Sequence, residues 1–277
     1  MGELKKRLYS SVLMLSCVFA LLYFNQIDLL LTAVEAKVFH ELRRVSLTNS
    51  KAQEERIQVY SDWTLFLAAV LLSTFCNLYG FIVYIAWFMF WVTFILDKQK
   101  HLNDKLLHAF WLHTVLIYIG LQPFFIRSNV THGLFWFLFP CCLVFVNDTA
   151  AYVCGRLFGR HRLLRLSPKK TLEGYLGAII LTVLFGYWFS SWLGQKSNLI
   201  DKKPDHIQFH GMILSLFASI AAPFSGFLAS AIKRAGGVKD FGHWIPGHGG
   251  LTDRVDCHLF MAAFTYFYCK EYIYLQA

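Results

Sequence analysis

Charge is scarce in this chain. Only 16% of its 277 residues are Asp, Glu, Lys or Arg, whereas a soluble domain carries about a quarter to build its polar shell. Acidic residues are the rarer kind, 17 against 26 Lys and Arg, so the formal charge is +9. Internal repeats and low-complexity tracts are missing, and the composition excludes a disordered, collagen-like or coiled-coil chain. No Cys-x-x-Cys pair occurs among Cys17, Cys76, Cys141, Cys142, Cys154, Cys257 and Cys269. All seven fall in or beside apolar stretches, which favours core filling over metal binding or a disulfide framework. What the chain has in abundance is apolar residues, 56% of the total, with 17% aromatic.

They come in runs. Trp63 to Leu96 is 34 residues without a charge. As one helix it would be about 51 Å long, against a hydrocarbon core about 30 Å thick, so two short spans folded near Tyr79-Gly80 are expected. Further runs are Ser10–Phe24, Leu106–Ile126, Gly133–Asn147 (continuing to about Cys154), Tyr175–Gly194, Gly211–Ala229 and Cys257–Cys269. Ile27–Phe39 is interrupted by Asp28, Glu35 and Lys37. It either recrosses the membrane with a polar face inward or lies in the interface as an amphipathic helix. The expectation is an all-α, polytopic integral membrane protein of eight or nine transmembrane helices, forming a single membrane domain over residues 1–277.

With nine spans and a cytosolic amino terminus, 20 of the 26 Lys and Arg fall in cytosolic segments, five outside, and Lys37 within a span. The positive-inside rule selects that orientation. Lys5-Lys6-Arg7 ahead of Ser10–Phe24 resembles the first two regions of a secretory signal, but no small-x-small cleavage site follows, so an uncleaved anchor is expected. Asn129-Val-Thr131 and Asn147-Asp-Thr149 match the glycosylation pattern. The first is too tight against the membrane and the second lies in a span, so neither is read as modified.

Function is sought where polar groups persist at membrane depth or crowd into one loop. Asn147-Asp148 ends an apolar run. Either the span stops early there, or Asp148 faces a polar cavity where a cation offsets its desolvation. Gly155-x-x-x-Gly159, just beyond, could mark a close helix contact. Arg156 to Gly174 holds six Lys and Arg against the single acid Glu173, which suits a positive-inside loop or lipid headgroup contact. Its "SPKKT" is sharper: Pro168 to set a turn, hydroxyls on Ser167 and Thr171, cations on Lys169 and Lys170, and a helix start immediately after. Donors, cations and a helix dipole converging are what a phosphate needs, although a GxxxxGK[ST] phosphate loop is absent.

The third place is Ser230 to Asp256. Gly236-Gly237 and Gly247-x-Gly249-Gly250 free the backbone to turn tightly and approach a ligand. Asp253 and Asp256 are spaced i, i+3, which on a helix puts both carboxylates on one face. Arg254 lies to the side, and the glycine loop can fold Asp240 back. Oxygen ligands of this kind suit Mg²⁺ rather than zinc, while carboxylates beginning a helix also gain simply from its dipole. His248, among glycines, is a candidate substrate contact; His243 and His258 read as interfacial or structural. Two spans separate this loop from "SPKKT", so both share the cytosolic side, as does Asp148. Cations for anions, carboxylates for a metal and no Ser or Cys nucleophile with a His base suit phosphoryl or nucleotidyl transfer.

At these residues the chain closely resembles the phosphatidate cytidylyltransferases, or CDP-diacylglycerol synthases. Ser230, Lys233, Arg234, Lys239, Asp240, Gly242, Ile245, Pro246, His248, Gly249, Gly250, Leu251, Asp253, Arg254, Val255 and Asp256 fill every fixed position of that family's signature. "ND" at 147–148 with Ala151-Tyr152, and "SPKKTLEG" at 167–174, look like two further family motifs, the second with Leu172 where Trp is usual. "VFHEL" at 38–42 is similar to a weaker pattern. The likeness is strong over residues 61–277, the catalytic membrane core, and faint over 1–60. It implies the reaction of CTP with phosphatidate to give CDP-diacylglycerol and pyrophosphate for phospholipid synthesis, with Mg²⁺ required. It implies an all-helical, commonly homodimeric membrane domain with a polar cavity open to the cytosol and to lipid, in the endoplasmic reticulum membrane if the source is eukaryotic. No nucleic-acid partner is expected.

By motif position the resemblance makes Asp240, Asp253 and Asp256 the metal-binding carboxylates, with Asp148 nearby. Lys233, Arg234, Lys239 and Arg254 would neutralise phosphates. Ser167, Lys169, Lys170 and Thr171 would hold lipid or nucleotide phosphate, beside His248, Gly249 and Gly250. The rivals are a CTP-dependent polyprenol or dolichol kinase, which releases CDP rather than pyrophosphate, and a membrane transporter. The complete signature speaks against the first. Polar residues confined to one face, without paired broken helices, speak against the second.

Overall fold

The computed structural model describes Ser16 and residues 26–48, 56–75, 78–93, 102–164, 167–196, 199–201, 204–244 and 249–274. The basic triplet 5–7, the Ser10–Phe24 run apart from Ser16, Cys17, Cys76, Arg165 and His248 lie outside the described residues. Ten α-helices follow in order among the described residues: α1 Ile27–Thr48, α2 Arg56–Phe75, α3 Leu78–Trp91, α4 Leu102–Val130, α5 Phe135–Phe158, α6 Leu172–Gly194, α7 Ile207–Ile220, α8 Ala222–Ala235, α9 Thr252–Val255 and α10 His258–Cys269. A π-helical turn, Lys270–Tyr274, continues α10.

The expectation of an all-α chain needs one correction. Between α5 and α6 lie β1 (Arg162–Leu164) and β2 (Ser167–Thr171), paired antiparallel with Arg162 opposite Thr171 and Leu164 opposite Ser167. Pro168, read from sequence as a turn residue, sits inside β2. A two-stranded ribbon is all edge, so a residue with no N–H to give is tolerated there.

Four helical stretches among the described residues are long and apolar enough to cross a membrane: Leu102–Val130, Phe135–Phe158, Leu172–Gly194 and Ile207–Ala235. They identify an integral membrane protein. The long charge-free run is divided, as its length demands: α2 ends at Phe75 and α3 begins at Leu78, so Tyr79-Gly80 falls in the first turn of α3. The helix carrying Asp148 does not stop there; α5 runs ten residues further, to Phe158.

The chain divides into two compact units, Met1–Phe124 with Lys233–Arg254, and Phe125–Ile232 with Val255–Ala277. In the first, α1 turns a polar face inward: Glu35, Glu41 and Arg43 are all buried. Arg43, one of the 20 Lys and Arg that the charge count puts in cytosolic segments, lies within α1 and donates from Nε to Asp62 Oδ2 of α2 at 2.6 Å, and His108 Nε2 of α4 lies 3.1 Å from the same oxygen. Removing one partner of such a buried pair strands the other charge, which is why three helices stay tied there. Around this knot Phe39 stacks on Phe66 and meets Trp63 edge-on, and Trp111 Nε1 donates to the Leu42 carbonyl at 3.2 Å.

The second unit is built on a different rule. Lipid gives no hydrophobic reason for helices to associate, so close backbone packing has to. Along α6, Gly174, Ala178, Thr182, Gly186, Ser190 and Gly194 recur every fourth residue and are all buried, while Ile180, Leu184 and Trp188 point outward. A Cβ on Gly211 of α7 would lie 2.5 Å from Ser190 Oγ and 2.6 Å from its Cβ. Thr182 Oγ1 donates to Asn147 Oδ1 of α5 at 3.4 Å, and Asn129 Nδ2 donates to the Ala262 carbonyl of α10 at 3.0 Å. Both glycosylation-pattern asparagines are thus buried and hydrogen-bonded. Phe135, Trp136, Phe139, Leu143, Leu214 and Met261 complete this core.

Gly211→Leu should therefore lose about 1–3 kcal/mol by overpacking, read as a lower thermal-unfolding midpoint in detergent. Ile180→Leu, on the outward face, should leave the midpoint in place. Equal midpoints would contradict the close α6–α7 contact.

Candidate functional site

In the first unit the site begins where α8 stops. Gly237 takes φ +67°; its N–H donates to the Arg234 carbonyl at 3.1 Å, and Val238 N–H donates to the Lys233 carbonyl at 2.9 Å. This pair of bonds around a left-handed glycine is a Schellman stop. It leaves Lys233 in the last turn, where a cation also meets the negative end of the helix dipole. The Gly236-Gly237 pair, read from sequence as backbone freed to turn tightly and approach a ligand, makes the tight turn that ends the helix.

Lys233 turns back onto Asp253. Its Nζ donates to Asp253 Oδ1 at 2.6 Å and lies 5.3 Å from the centre of the Phe241 ring. The other oxygen, Oδ2, accepts from Phe241 N at 3.1 Å and from Gly250 N at 3.3 Å. Asp253 thus joins the end of α8, the 241 backbone and the glycine segment at one carboxylate. Asp240 is exposed and borders the same place: a Cβ on Gly249, which has φ +85°, would lie 3.6 Å from Asp253 Oδ2 and 3.7 Å from Asp240 Cβ. Arg234, Lys239 and Arg254 are exposed.

A residue outside the strong motif completes this arrangement. Glu41 of α1 is 2% exposed. Its Oε1 accepts from Leu251 N at 3.1 Å, and its Oε2 accepts from Thr252 N at 2.9 Å and Thr252 Oγ1 at 2.8 Å. Gly250 therefore faces protein rather than open space: a Cβ there would lie 2.7 Å from Glu41 Oε2 and 3.1 Å from Asp253 Oδ2. The sequence signal for Glu41 was the weaker "VFHEL" pattern, which carried no role.

The i, i+3 placement of Asp253 and Asp256 on one helix face does not hold. Helix α9 is a single turn that ends at Val255, and α10 starts at His258. Asp256 lies in the turn between, its Oδ1 accepting from Cys257 N at 2.8 Å. An Asp that bonds the neighbouring backbone competes with helix continuation, and that breaks the helix here.

Asp256 belongs to the second unit, with the other two motifs. Asp256, Asp148 and Lys170 each act electrostatically on the Cys257 thiol, so three segments distant in sequence converge. A Cβ on Gly226 of α8 would lie 3.0 Å from Cys257 Sγ and 3.6 Å from Asp256 Oδ2, and Lys170 Nζ sits 5.0 Å over the Phe227 ring. Asp148 is exposed on α5. Ser167 and Lys169 lie in β2 with Lys170. Thr171 ends the strand and caps α6, its Oγ1 accepting from Gly174 N at 3.2 Å. Gly155, Gly159 and Gly174 crowd that hydroxyl: a Cβ on Gly174 would lie 2.9 Å from Gly155 Cα, so the Gly155-x-x-x-Gly159 pair does mark a close contact. Glu173 draws the hairpin down, accepting from Arg160 N at 3.0 Å and contacting His161 Nδ1 at 2.6 Å.

Among the described residues no three His, Cys, Asp or Glu side chains gather into a metal shell. Asp240 and Asp253 beside Gly249 nonetheless fit Mg²⁺, which is usually bound through one or two carboxylates, several waters and substrate phosphates rather than a protein cage.

The sequence matches the model of the cytidylyltransferase family over residues 5–272. It is 42% identical over 236 residues to the phosphatidate cytidylyltransferase of Saccharomyces cerevisiae, covering 70% of this chain and 51% of that protein. Phosphatidate cytidylyltransferase 1 of Arabidopsis thaliana is 37% identical over 234 residues, covering 71% and 55%. Phosphatidate cytidylyltransferase 2 of Mus musculus is 32% identical over 243 residues, covering 73% and 54%. The chain spans about half the length of the curated relatives it matches.

Thr171→Val keeps the shape of the residue and removes the cap. It should lower stability by about 1 kcal/mol, measured by thermal unfolding in detergent. An unchanged midpoint would show that the cap contributes nothing.

Proposed function

This chain belongs to the cytidylyltransferase family, and we propose that it transfers the cytidylyl group of CTP to phosphatidate, releasing pyrophosphate. An anionic oxygen of the phosphatidate phosphate attacks the α-phosphorus of CTP. The bond from that phosphorus to the bridging oxygen of the β-phosphate breaks, and pyrophosphate leaves with the electron pair. The nucleophile already carries its charge, so no general base is needed, and no covalent enzyme intermediate forms. The observation that carries this reading is the Asp253 carboxylate, held by Lys233 and two backbone N–H groups beside Asp240. The relatives' names support it and do not favour a lipid kinase.

The obstacle to the reaction is repulsion between two multiply charged anions. Mg²⁺, when bound, would neutralise the triphosphate and ease departure of pyrophosphate. Asp240 and Asp253 would hold it; Asp256 keeps the same assignment by motif position alone. Lys233, Arg234, Lys239 and Arg254 supply positive charge to phosphates. Lys233 has a second duty, because its bond to Asp253 fixes that carboxylate. In the other unit Lys170, with Ser167 and Lys169 in the same strand, supplies cation and hydroxyl for a phosphate. Thr171 accepts as a cap and still has its proton to donate. The distribution of Lys and Arg supports a cytosolic amino terminus and cytosolic chemistry, with eight or nine spans in the whole chain and the endoplasmic reticulum as the membrane in a eukaryotic source.

Purified protein should release labelled pyrophosphate from CTP only with phosphatidate present, and chelation of divalent cations should stop it. Release of CDP would point to a lipid kinase, and no turnover of CTP to a transporter or scaffold. Asp253→Asn would disturb three hydrogen bonds as well as any metal, so Asp240→Asn is the cleaner substitution. It should lower turnover about 100-fold or more with unchanged gel-filtration behaviour in detergent. Full activity in that variant would discredit the metal assignment.

A further inference from the structure

Glu41 lies far from the signature in sequence, yet it is among the most completely enclosed charges in the described residues. A buried carboxylate is strongly disfavoured unless donors fill it. Glu41 has three, all from Leu251 and Thr252, at 2.8 to 3.1 Å. Hydrogen bonds to an ionised acceptor are about twice as strong as neutral ones. The segment receiving this grip is the two residues immediately before Asp253. Two glycines of the signature make room for it: a Cβ on Gly242 would lie 2.9 Å from Glu41 Oε1, and one on Gly250 would lie 2.7 Å from Oε2. The backbone there is glycine because a carboxylate from α1 occupies the space.

Resting on the proposed function, we infer that Glu41 is a positioning residue for the nucleotide and its metal, acting through Asp253. At 2% exposed, enclosed by the chain where Asp253 is only half-buried, Glu41 is not itself a ligand. With Leu251 and Thr252 held, α9 starts at a fixed place, and Asp253 can accept from Phe241 N, Gly250 N and Lys233 at once. Without that hold, the carboxylate beside Asp240 is no longer directed at one point. The effect falls on the metal-bearing triphosphate and leaves the lipid substrate alone. A residue that only stabilises the fold would instead lower the amount of active protein and leave both KM values untouched.

The test compares wild type, Glu41→Gln and Thr252→Val in detergent. Gln keeps the size of Glu but turns an NH₂ towards donors; Thr252→Val removes only the hydroxyl bond. Labelled CTP binding with Mg²⁺ should weaken about 10- to 100-fold in Glu41→Gln, the usual range when the support of a metal ligand is lost. KM for CTP should rise with it, and KM for phosphatidate should stay where it was. Thr252→Val should move the same quantities in the same direction by less. Amide hydrogen exchange over residues 249–256, without nucleotide, should be faster in Glu41→Gln. Unchanged exchange, or unchanged CTP affinity in both variants, overturns the inference, as does a fall in activity with both KM values constant. Should Glu41→Gln fail to fold, Thr252→Val decides alone by the same criteria. A wild type that neither binds CTP nor releases pyrophosphate overturns the proposed function and this inference together; a wild type that does both, with unmoved variants, overturns only the latter.

Discussion

The Asp253 carboxylate, with Lys233 on one oxygen and two backbone N–H groups on the other, sets the form of the whole signature segment. A largely buried acid needs its lone pairs filled, and here each donor comes from a different stretch of the segment. The Schellman stop at Gly237 brings the chain out of α8 so that Lys233 can turn back. Phe241 then passes close enough to donate, and Gly250 has no side chain to obstruct the approach. The order of residues in the motif reads as a list of what this one carboxylate requires, with Asp240 left outside at the exposed edge.

The second unit meets a separate constraint, the absence of water to drive helices together. Its answer is the fourfold spacing of small residues on α6, with the Thr182 hydroxyl bonded across to Asn147 of α5. The same logic reaches the hairpin through Gly155, Gly159 and Gly174, which close on Thr171 and fix where β2 ends. Lys170, one residue before that cap, is placed as a consequence, with Phe227 beneath its ammonium.

Much of this was legible in the sequence because lipid imposes simple rules on composition. The runs around Leu106–Ile126 and Tyr175–Gly194 are helices because no other structure satisfies backbone groups in hydrocarbon, and α2 and α3 part near where a 34-residue run had to fold. The signature and "SPKKT" identified the polar residues worth attention. What escaped was whatever depends on a partner distant in sequence. The hairpin was missed because Pro168 signals a turn locally and an edge strand only once β1 is beside it. Asp253 and Asp256 were placed on one helix because spacing cannot reveal that Asp256 prefers its neighbour's N–H. Arg43 was counted only as a cytosolic cation because its charge was visible and its pairing with Asp62 was not. Glu41 lacked any local sign of its partners, which lie 210 residues further on.

Glu41 also bears on how the molecule can be dissected. The strong sequence motifs all lie beyond residue 146, and a boundary drawn at residue 61 would cut off α1 as a dispensable leader. Such a fragment would leave the Leu251 and Thr252 N–H groups and the Thr252 hydroxyl facing a hole lined by Gly242 and Gly250. Each unmatched donor costs about 1–3 kcal/mol, so the three together reach the scale of a domain's entire margin of stability. The front of the chain is therefore part of the same working piece as its most recognisable segment, and any minimal version must carry both.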